Sequence, residues 1–513
     1  MFENEVSRKD ILRGVMLSEP GYTAILNESE KPDAFLTDYL AKISEQKRKL
    51  LSPEASDEHE PFPSIYSKYN NALHSQNAMD FDDILFFGYR ILAENLEVGK
   101  LYNSIYKYIC IDESQDLNEA QYRVIQVICG NNFRNIMMVG DENQSIYAFN
   151  GSSSKYMIEH FVRDFSPKIC ELDENFRSAK QIIKYANSLT NNEEDVSRYY
   201  YEGELNISDF LNEEEEAKSV RCKVEQLLLN KTHKDIEGNI THDKIAIIAR
   251  NKYVFANVEE ELRQANIPFY IKKTHSGIVC ETDFMNAFDL ILRLLVNPMD
   301  LFHKQQLCKM VGKKTSEFDC SENTIEMIEE LLAESDYSWL SSVVAKINPN
   351  DMAGFDDALE SAKNNMPQTL VDDDKYMLTK DINEWEKHWK QFKRNVPREN
   401  RSLVSFRNAI ALGKTQTLDT DTGIALLTAH MSKGLEFEVV FIIGLTEGTF
   451  PDYRAVKSGG NAMEQEKNNM YVAVTRAKRL CYLSYPLVKK MPWGDDKKQD
   501  PSRFIDDYES NHI

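Results

Sequence analysis

Long hydrophobic runs are missing from this sequence. No uncharged apolar stretch approaches the roughly 18 residues that span a bilayer, and Val439–Leu445 has only the length of a core strand. The opening residues MFENEVSRKD carry early acids and no apolar core, so no secretory leader is visible. The eight cysteines (110, 129, 170, 222, 280, 308, 320 and 481) are scattered with no C-x-x-C pair, which argues against a zinc ribbon and for a reducing cytoplasm. Glycine (20) and proline (15) are too sparse for a long flexible linker, and no period of 20–50 residues repeats. Basic residues are outnumbered, 61 against 83 acids, for a net charge of −22. That balance excludes coating of nucleic acid by bulk charge and leaves room only for a local basic groove.

What is present is an ordinary globular balance, 42% hydrophobic and 28% charged, over 513 residues, a length that suggests three or four compact units. Residues 1–78 read as polar helices, for example Asp33–Leu51 with a stop at Ser52-Pro53. The texture then changes: short apolar runs, Tyr108–Ile111 and Ile136–Val139, alternate with helical patterns such as Asn118–Ile128. Wholly apolar short strands between helices indicate a parallel sheet covered on both faces. A second α/β stretch begins near residue 180, with a helix capped by Asn212 and the strand Lys244–Ala249. The acidic run Glu213–Glu216 falls in that helix's first turn, where the helix dipole favours it. Residues 300–420 are helical and loop-broken; strands Ile424–Thr428 and Val439–Gly444 and the helix Glu464–Arg476 follow, so the helical part interrupts an α/β core.

The first chemical constellation is Ile109-Cys110-Ile111-Asp112-Glu113-Ser114-Gln115-Asp116. Acids at the C-terminal end of a parallel strand lie in the crevice where α/β sheets bind ligands. There Asp112 can hold Mg²⁺ through water and Glu113 can polarise an attacking water, although two acids alone fit a solvated strand end equally well. Four further segments join them: Met138–Gly151 (MVGDENQSIYAFNG), Leu172–Ser178 (LDENFRS), Thr428–Phe437 (TAHMSKGLEF) and Tyr471–Lys478 (YVAVTRAK). With these five in order, from about residue 40 to the C-terminus, the chain resembles the UvrD/Rep/PcrA family of superfamily 1 DNA helicases. Met79–Asp83 (MDFDD) and Pro501–Phe504 (PSRF) are lesser echoes.

The resemblance implies an α/β fold of two RecA-like P-loop NTPase cores with helical insertion domains, and an ATP-dependent DNA helicase walking on single-stranded DNA, usually 3′ to 5′. On that pattern residues 1–78 are the insertion of the first core and 79–180 the remainder of that core. Residues 181–305 and 421–513 form the second core, and 306–420 its insertion. Asp112 corresponds to the Mg²⁺ acid, Glu113 to the catalytic base and Gln144 to the sensor of the γ-phosphate and attacking water. Arg177 and Arg476 correspond to arginines that neutralise transition-state charge, and Phe176, Gly434 and Glu436 to nucleotide-binding positions. Tyr147 and Phe149 correspond to base-stacking positions, and Arg250 and His430 to contacts with the DNA strand. A stacking platform and a charged track suffice for single-strand binding without net basicity. ATP and Mg²⁺ are the implied cofactors, single-stranded DNA the implied partner, and the cytoplasm, away from membranes, the implied location.

There are departures. Phe176 stands where a Tyr is usual, Asn150 where an Arg is usual, and Asn468 and Asn469 where Arg and an apolar residue are common. The largest is an absence: no segment before Asp112 fits G-x-x-x-x-G-K-[ST], the loop whose amides cradle phosphates. Gly413-Lys414-Thr415 is a decoy, since Asn408 takes the first glycine's place and Ser405–Leu412 reads as helix. Residues 41–55 resemble the insertion that follows the loop, so the first core is expected to be N-terminally incomplete, with the apolar strand Tyr108–Ile111 left with an unsatisfied edge. Three readings follow: a helicase whose loop is absent or comes from a partner chain; a catalytically degenerate relative that binds nucleic acid or a partner; and a nuclease-coupled recombination subunit, disfavoured because residues 501–504 lie too near the C-terminus to leave room for a nuclease domain.

Overall fold

The computed structural model describes residues 5–29, 31–130, 135–172, 174–190, 200–271, 278, 280–314, 324–367, 370–415, 423–490 and 496–505. Asp173 of the LDENFRS segment, Cys320 and the first four residues lie outside them. The chain divides into two compact units, one of residues 1–101, 123–128 and 275–418, the other of residues 102–122, 129–274 and 419–513.

The first unit is helical. The expected helix over 33–51 runs Pro32–Arg48, where two basic residues close the last turn. It packs with Phe62–Ser75 around Leu36, Leu40, Ile43, Ile65, Tyr66 and Leu73. Asp80 caps the helix Phe81–Glu94 in a reciprocal capping box with Asp83. Both carboxylates also hold the buried Lys47 ammonium, at 2.8 and 2.7 Å, and Arg8 lies 3.4 Å from Asp80, so two cations face the two acids. A second core gathers Phe288, Phe355, Trp385, Trp389 and Phe406 from four helices between 283 and 411. The decoy Gly413-Lys414-Thr415 follows the helix Leu403–Ala411, and the Thr415 hydroxyl lies 2.7 Å from His388 Nδ1. A phosphate loop follows a strand, and this segment follows a helix.

The second unit is α/β. Strands β1 (Ile109–Ile111) and β2 (Ile136–Met138) form a parallel pair, with Cys110 opposite Met137. The remaining strands are β3 (Glu204–Asn212), β4 (Ile245–Ala249), β5 (Phe269–Ile271), β6 (Ile424–Thr428), β7 (Phe437–Ile442), β8 (Ala477–Lys490) and β9 (Asp496–Lys498). They join in the order β3-β8-β7-β4-β6-β5, all parallel, with β9 antiparallel on β8. Side-chain alternation explains why the central strands are apolar throughout. Ala246, Ile248, Leu427, Val440 and Ile442 face the helices Lys180–Ser188 and Gly460–Val474. Ile245, Ile247, Leu426, Val439 and Phe441 face the helices Glu213–Asn230 and Ala256–Gln264.

The structure differs from the sequence expectation in four respects. β3 and β8 lay unassigned in the sequence. The strand expected at 439–444 begins at Phe437 and ends at Ile442, because Gly444 turns with φ +70°. The helix expected over 464–476 starts at Gly460 and stops at Val474, so Arg476 sits past its end. The β1–β2 sheet is not covered on both faces by the described residues: Cys110 and Met137 are exposed, and the alternating isoleucines are only half-buried.

Candidate functional site

The acids after β1 sit on unusual backbone. Glu113 adopts φ +53°, ψ 38°, a left-handed conformation that costs a non-glycine residue about 1–3 kcal/mol and clusters at functional sites. Asp112 Oδ1 accepts the Glu113 amide at 2.9 Å. Gln115 Nε2 donates to Glu113 Oε2 at 2.6 Å, while its side-chain Oε1 accepts the Asp141 amide at 3.1 Å. Gln115 thereby fixes the acid of one strand end to the loop after the next. Gly140 permits this, because a Cβ there would lie 2.4 Å from Gln115 Oε1.

Lys433, from the loop after the short helix Ala429–Ser432, reaches the same place. Its ammonium lies 2.5 Å from Asp116, 3.4 Å from Glu113 and 2.7 Å from the Gln144 carbonyl, and 5.2 Å from the centre of the Tyr147 ring. Burial pushes the Asp116 carboxyl upward and the Lys433 charge opposes it. Gln144 donates its side-chain amide to Asp141 at 2.8 Å, and its side-chain oxygen is 3.5 Å from Arg476 Nη2. Arg476 is 1% exposed; its guanidinium donates to the carbonyls of Val472 and Leu435, and burial, then the nearby Arg177 charge, pulls its pKa down to about 10. Arg177 pairs with Glu436 at 2.8 Å, and Lys478 reaches the other oxygen of that acid at 2.6 Å. The hydrogen bond from Lys478, ahead of that from Arg177, holds the Glu436 carboxyl below the usual range. Gly434 takes φ +77° with nothing near its missing side chain, so glycine is required by conformation alone. The Phe176 ring is 88% exposed.

Beside this cluster lies an aromatic one. Tyr147 and Phe149 meet edge to face at 6.0 Å, and His430 lies 6.4 and 5.9 Å from the two rings. Tyr147 is half-buried and Phe149 exposed. Burial, then the Arg250 charge, pulls the His430 pKa down to about 4, so its imidazole is neutral at pH 7. Arg250 does not reach outward: its fork holds the buried Glu466 carboxylate through three contacts of 2.7–3.0 Å, and Glu466 also accepts the Asp452 amide at 2.9 Å.

The structure thus gathers Glu113, Gln144 and Arg476 in one cluster, Arg177 and Glu436 in a second, and Tyr147, Phe149 and His430 in a third. Asp112 stands at the edge of the first; among the described residues no lysine or arginine pairs with it. Sequence reasoning assigned no role to Gln115, Asp116, Lys433, Glu466 or Lys478. The first three and Lys478 lie inside the recognised segments, which was the available signal. Nothing along the chain marks Glu466, whose partner is 216 residues away.

This arrangement is a parallel sheet with acids, glutamine and arginines converging from separate segments at its strand ends, beside an aromatic cluster. Comparison agrees: residues 170–487 match the UvrD-like helicase C-terminal domain and residues 12–166 the UvrD/REP helicase N-terminal domain. The chain belongs to the UvrD-like helicase family. Among its relatives, the ATP-dependent DNA helicase PcrA of Staphylococcus aureus is 26% identical over 515 residues, covering 91% of this chain and 67% of that protein. The Staphylococcus epidermidis protein of the same name is 27% identical over 516 residues, covering 91% and 68%. The chain spans about two thirds of the length of these relatives. No described helix is long and apolar enough to cross a membrane.

Proposed function

We propose that this chain is the motor of an ATP-dependent helicase that moves 3′ to 5′ on single-stranded DNA in the cytoplasm, completed by a phosphate loop from polypeptide outside residues 1–513. The observation that carries the reading is the convergence of Glu113, Gln144, Lys433 and Arg476 from four separate segments. In the same reading residues 79–180 form the first core, 181–305 with 421–513 the second, and 1–78 and 306–420 the insertions.

Each group has a task that its surroundings suit. Glu113, held by Gln115, is the base that takes a proton from the attacking water, and Gln144 orients that water. Arg177 and Arg476 neutralise charge developing on the transferred phosphoryl group, a contribution of about 10³–10⁵ in rate for arginine fingers. Asp112, a carboxylate at a strand end with no lysine or arginine partner among the described residues, would hold Mg²⁺, which would supply charge neutralisation there. Phe176 stacks on the base, and Gly434 and Glu436 line the nucleotide. Tyr147 and Phe149 stack DNA bases, with His430 and Arg250 beside the strand. Lys433 lies between the two groups, 3.4 Å from the Glu113 carboxylate and 5.2 Å from the centre of the Tyr147 ring. A second reading, a DNA-binding relative without turnover, is favoured by the lack of G-x-x-x-x-G-K-[ST] in these residues.

Fluorescence anisotropy with a labelled oligo-dT tests the DNA half of the reading. Base stacking on aromatic side chains contributes about 1–3 kcal/mol per base, so Tyr147→Ala with Phe149→Ala is expected to weaken binding at least tenfold. Equal affinity of the double variant and the parent contradicts it.

A further inference from the structure

We propose that the basic face formed by residues 394–414 of the helical unit is a docking surface for an acidic amphipathic helix of a partner protein. The inference is independent of the nucleotide site and of its phosphate loop.

Charge is unevenly spread along this chain. Against a net charge of −22, the stretch Lys387–Lys414 holds eight basic residues and one acid, Glu399. Five of the eight are already engaged. Lys387 pairs with Glu384 at 3.1 Å, Lys390 with Glu386 at 3.8 Å and Lys393 with Asp356 at 2.8 Å. Arg407 is buried against Asp289. Arg401 donates to the Lys393 and Val396 carbonyls at 2.8 and 2.9 Å, and so serves the C-terminal end of the helix Asp372–Asn395. The other three, Arg394, Arg398 and Lys414, are exposed, and among the described residues none has an acidic partner. They share one region of the surface. The Asn395 side chain, next to Arg394, donates to the Lys414 carbonyl at 3.4 Å, and Arg398 opens the short turn Arg398–Asn400 between the two helices.

An apolar stripe runs beside these cations. The helix Leu403–Ala411 packs Phe406 on Trp389 and Phe392, with ring centres 5.2 and 5.0 Å apart. Exposed on the same helix are Val404, Asn408 and, just past its end, Leu412, spaced four residues apart and hence on one line. Val404 is 48% and Leu412 44% exposed. Free cations flanking aliphatic side chains complement a helix with leucines at i, i+3, i+4 and i+7 and acids along their border. Nucleic acid fits this face less well. The aromatic rings of the stretch, Trp389, Phe392 and Phe406, are all buried, so none can stack on a base. Three unengaged cations are few for a duplex, whose affinity grows with each phosphate neutralised. A phosphate backbone also gives Val404 and Leu412 nothing to bury against.

The test uses the full chain 1–513 and a fluorescein-labelled peptide with leucines at i, i+3, i+4 and i+7 and glutamates between them, read by anisotropy at low and high salt. Saturable binding that weakens with salt is expected. Arg394→Glu, Arg398→Glu and Lys414→Glu together should weaken it about tenfold or more, and the charge-neutral pair Val404→Ser with Leu412→Ser by a similar factor. All five side chains are exposed, so both variants are expected to keep the parent's thermal midpoint. Absence of binding, or unchanged affinity in either variant, overturns the proposal. Equal binding of a peptide of the same composition in scrambled order also overturns it, because bulk charge is then sufficient. A duplex oligonucleotide that displaces the peptide and is itself lost in the charge-reversed variant assigns the face to nucleic acid. A mass that rises with concentration in the parent but not in that variant assigns it to a second copy. Either of these results overturns the proposal as well.

Discussion

Glu216 offers a test that depends on one buried carboxyl. It lies in the first turn of the helix Glu213–Asn230, as its acidic sequence leads one to expect, but it is 3% exposed and turned into the unit. One oxygen, Oε1, accepts both the Gly444 amide at 3.0 Å and the Ser484 hydroxyl at 2.6 Å, tying the helix to the turn after β7 and to the middle of β8. A cavity of about 10 Å³ beside it is lined by Glu213, Thr446, Thr449 and Lys489, and Lys489 lies 3.5 Å from Glu213. Burial outweighs the two hydrogen bonds and pushes the Glu216 pKa from 4.5 up to about 7. Between those values the folded protein holds a proton that the unfolded chain has released, so stability falls as pH rises through the window, and the loss is complete above about pH 7. The span corresponds to about 3 kcal/mol. Glu216→Gln keeps the accepting oxygen and removes the charge. It should therefore stabilise the unit by about 1–3 kcal/mol at pH 8 and by much less at pH 5. Urea unfolding at the two pH values, with hydrogen exchange read on β7 and β8 peptides, measures this. Destabilisation by Glu216→Gln at pH 8, or the same effect at both pH values, refutes the reasoning.

Two other predictions follow from pairs in the second unit. Arg250→Ala leaves the Glu466 carboxylate buried without its cation and should cost about 2–4 kcal/mol in urea unfolding, while a double-mutant cycle with Glu466→Gln should show coupling above about 1 kcal/mol; additive effects contradict the pair. His430 titrates near pH 4 when folded and near 6.5 when unfolded, so its contribution is complete above 6.5 and lost as pH falls toward 4. The His430→Gln variant should lose less stability than the parent between pH 6.5 and 4, and an imidazole that titrates by NMR at its ordinary value would contradict this.

How much of this could be read in the sequence follows from the range of each interaction. Strands β4 and β6 were legible because IAIIA and IALLT are apolar at every position, the signature of burial on both faces. β3 was not, because ELNISDFLN is an edge strand mixing polar and apolar residues. β8 was hidden by the charges at Lys478 and Arg479 and by Pro486 inside the run. The cap by Asn212 was legible because it is local. In the site, Gln144 and Arg476 were singled out only through the family resemblance that the ordered motifs carry, and Glu113 by that resemblance together with its place after an apolar strand. The residues that hold them did not show, because Lys433 meets Asp116 across 317 positions and no one-dimensional pattern encodes such a pair. Arg250 shows the same limit: its ion-pair partner Glu466 lies 216 positions away.

The account stands most directly on steady-state ATP hydrolysis. Purified 1–513 is expected to turn over little ATP alone, with or without oligo-dT. The same residues fused behind a phosphate-loop strand, loop and helix should hydrolyse ATP with stimulation by oligo-dT, and Glu113→Gln in the fusion should abolish it. Vigorous hydrolysis by 1–513 alone, or DNA-stimulated hydrolysis that survives Glu113→Gln, would contradict the assignment of this cluster as the catalytic centre.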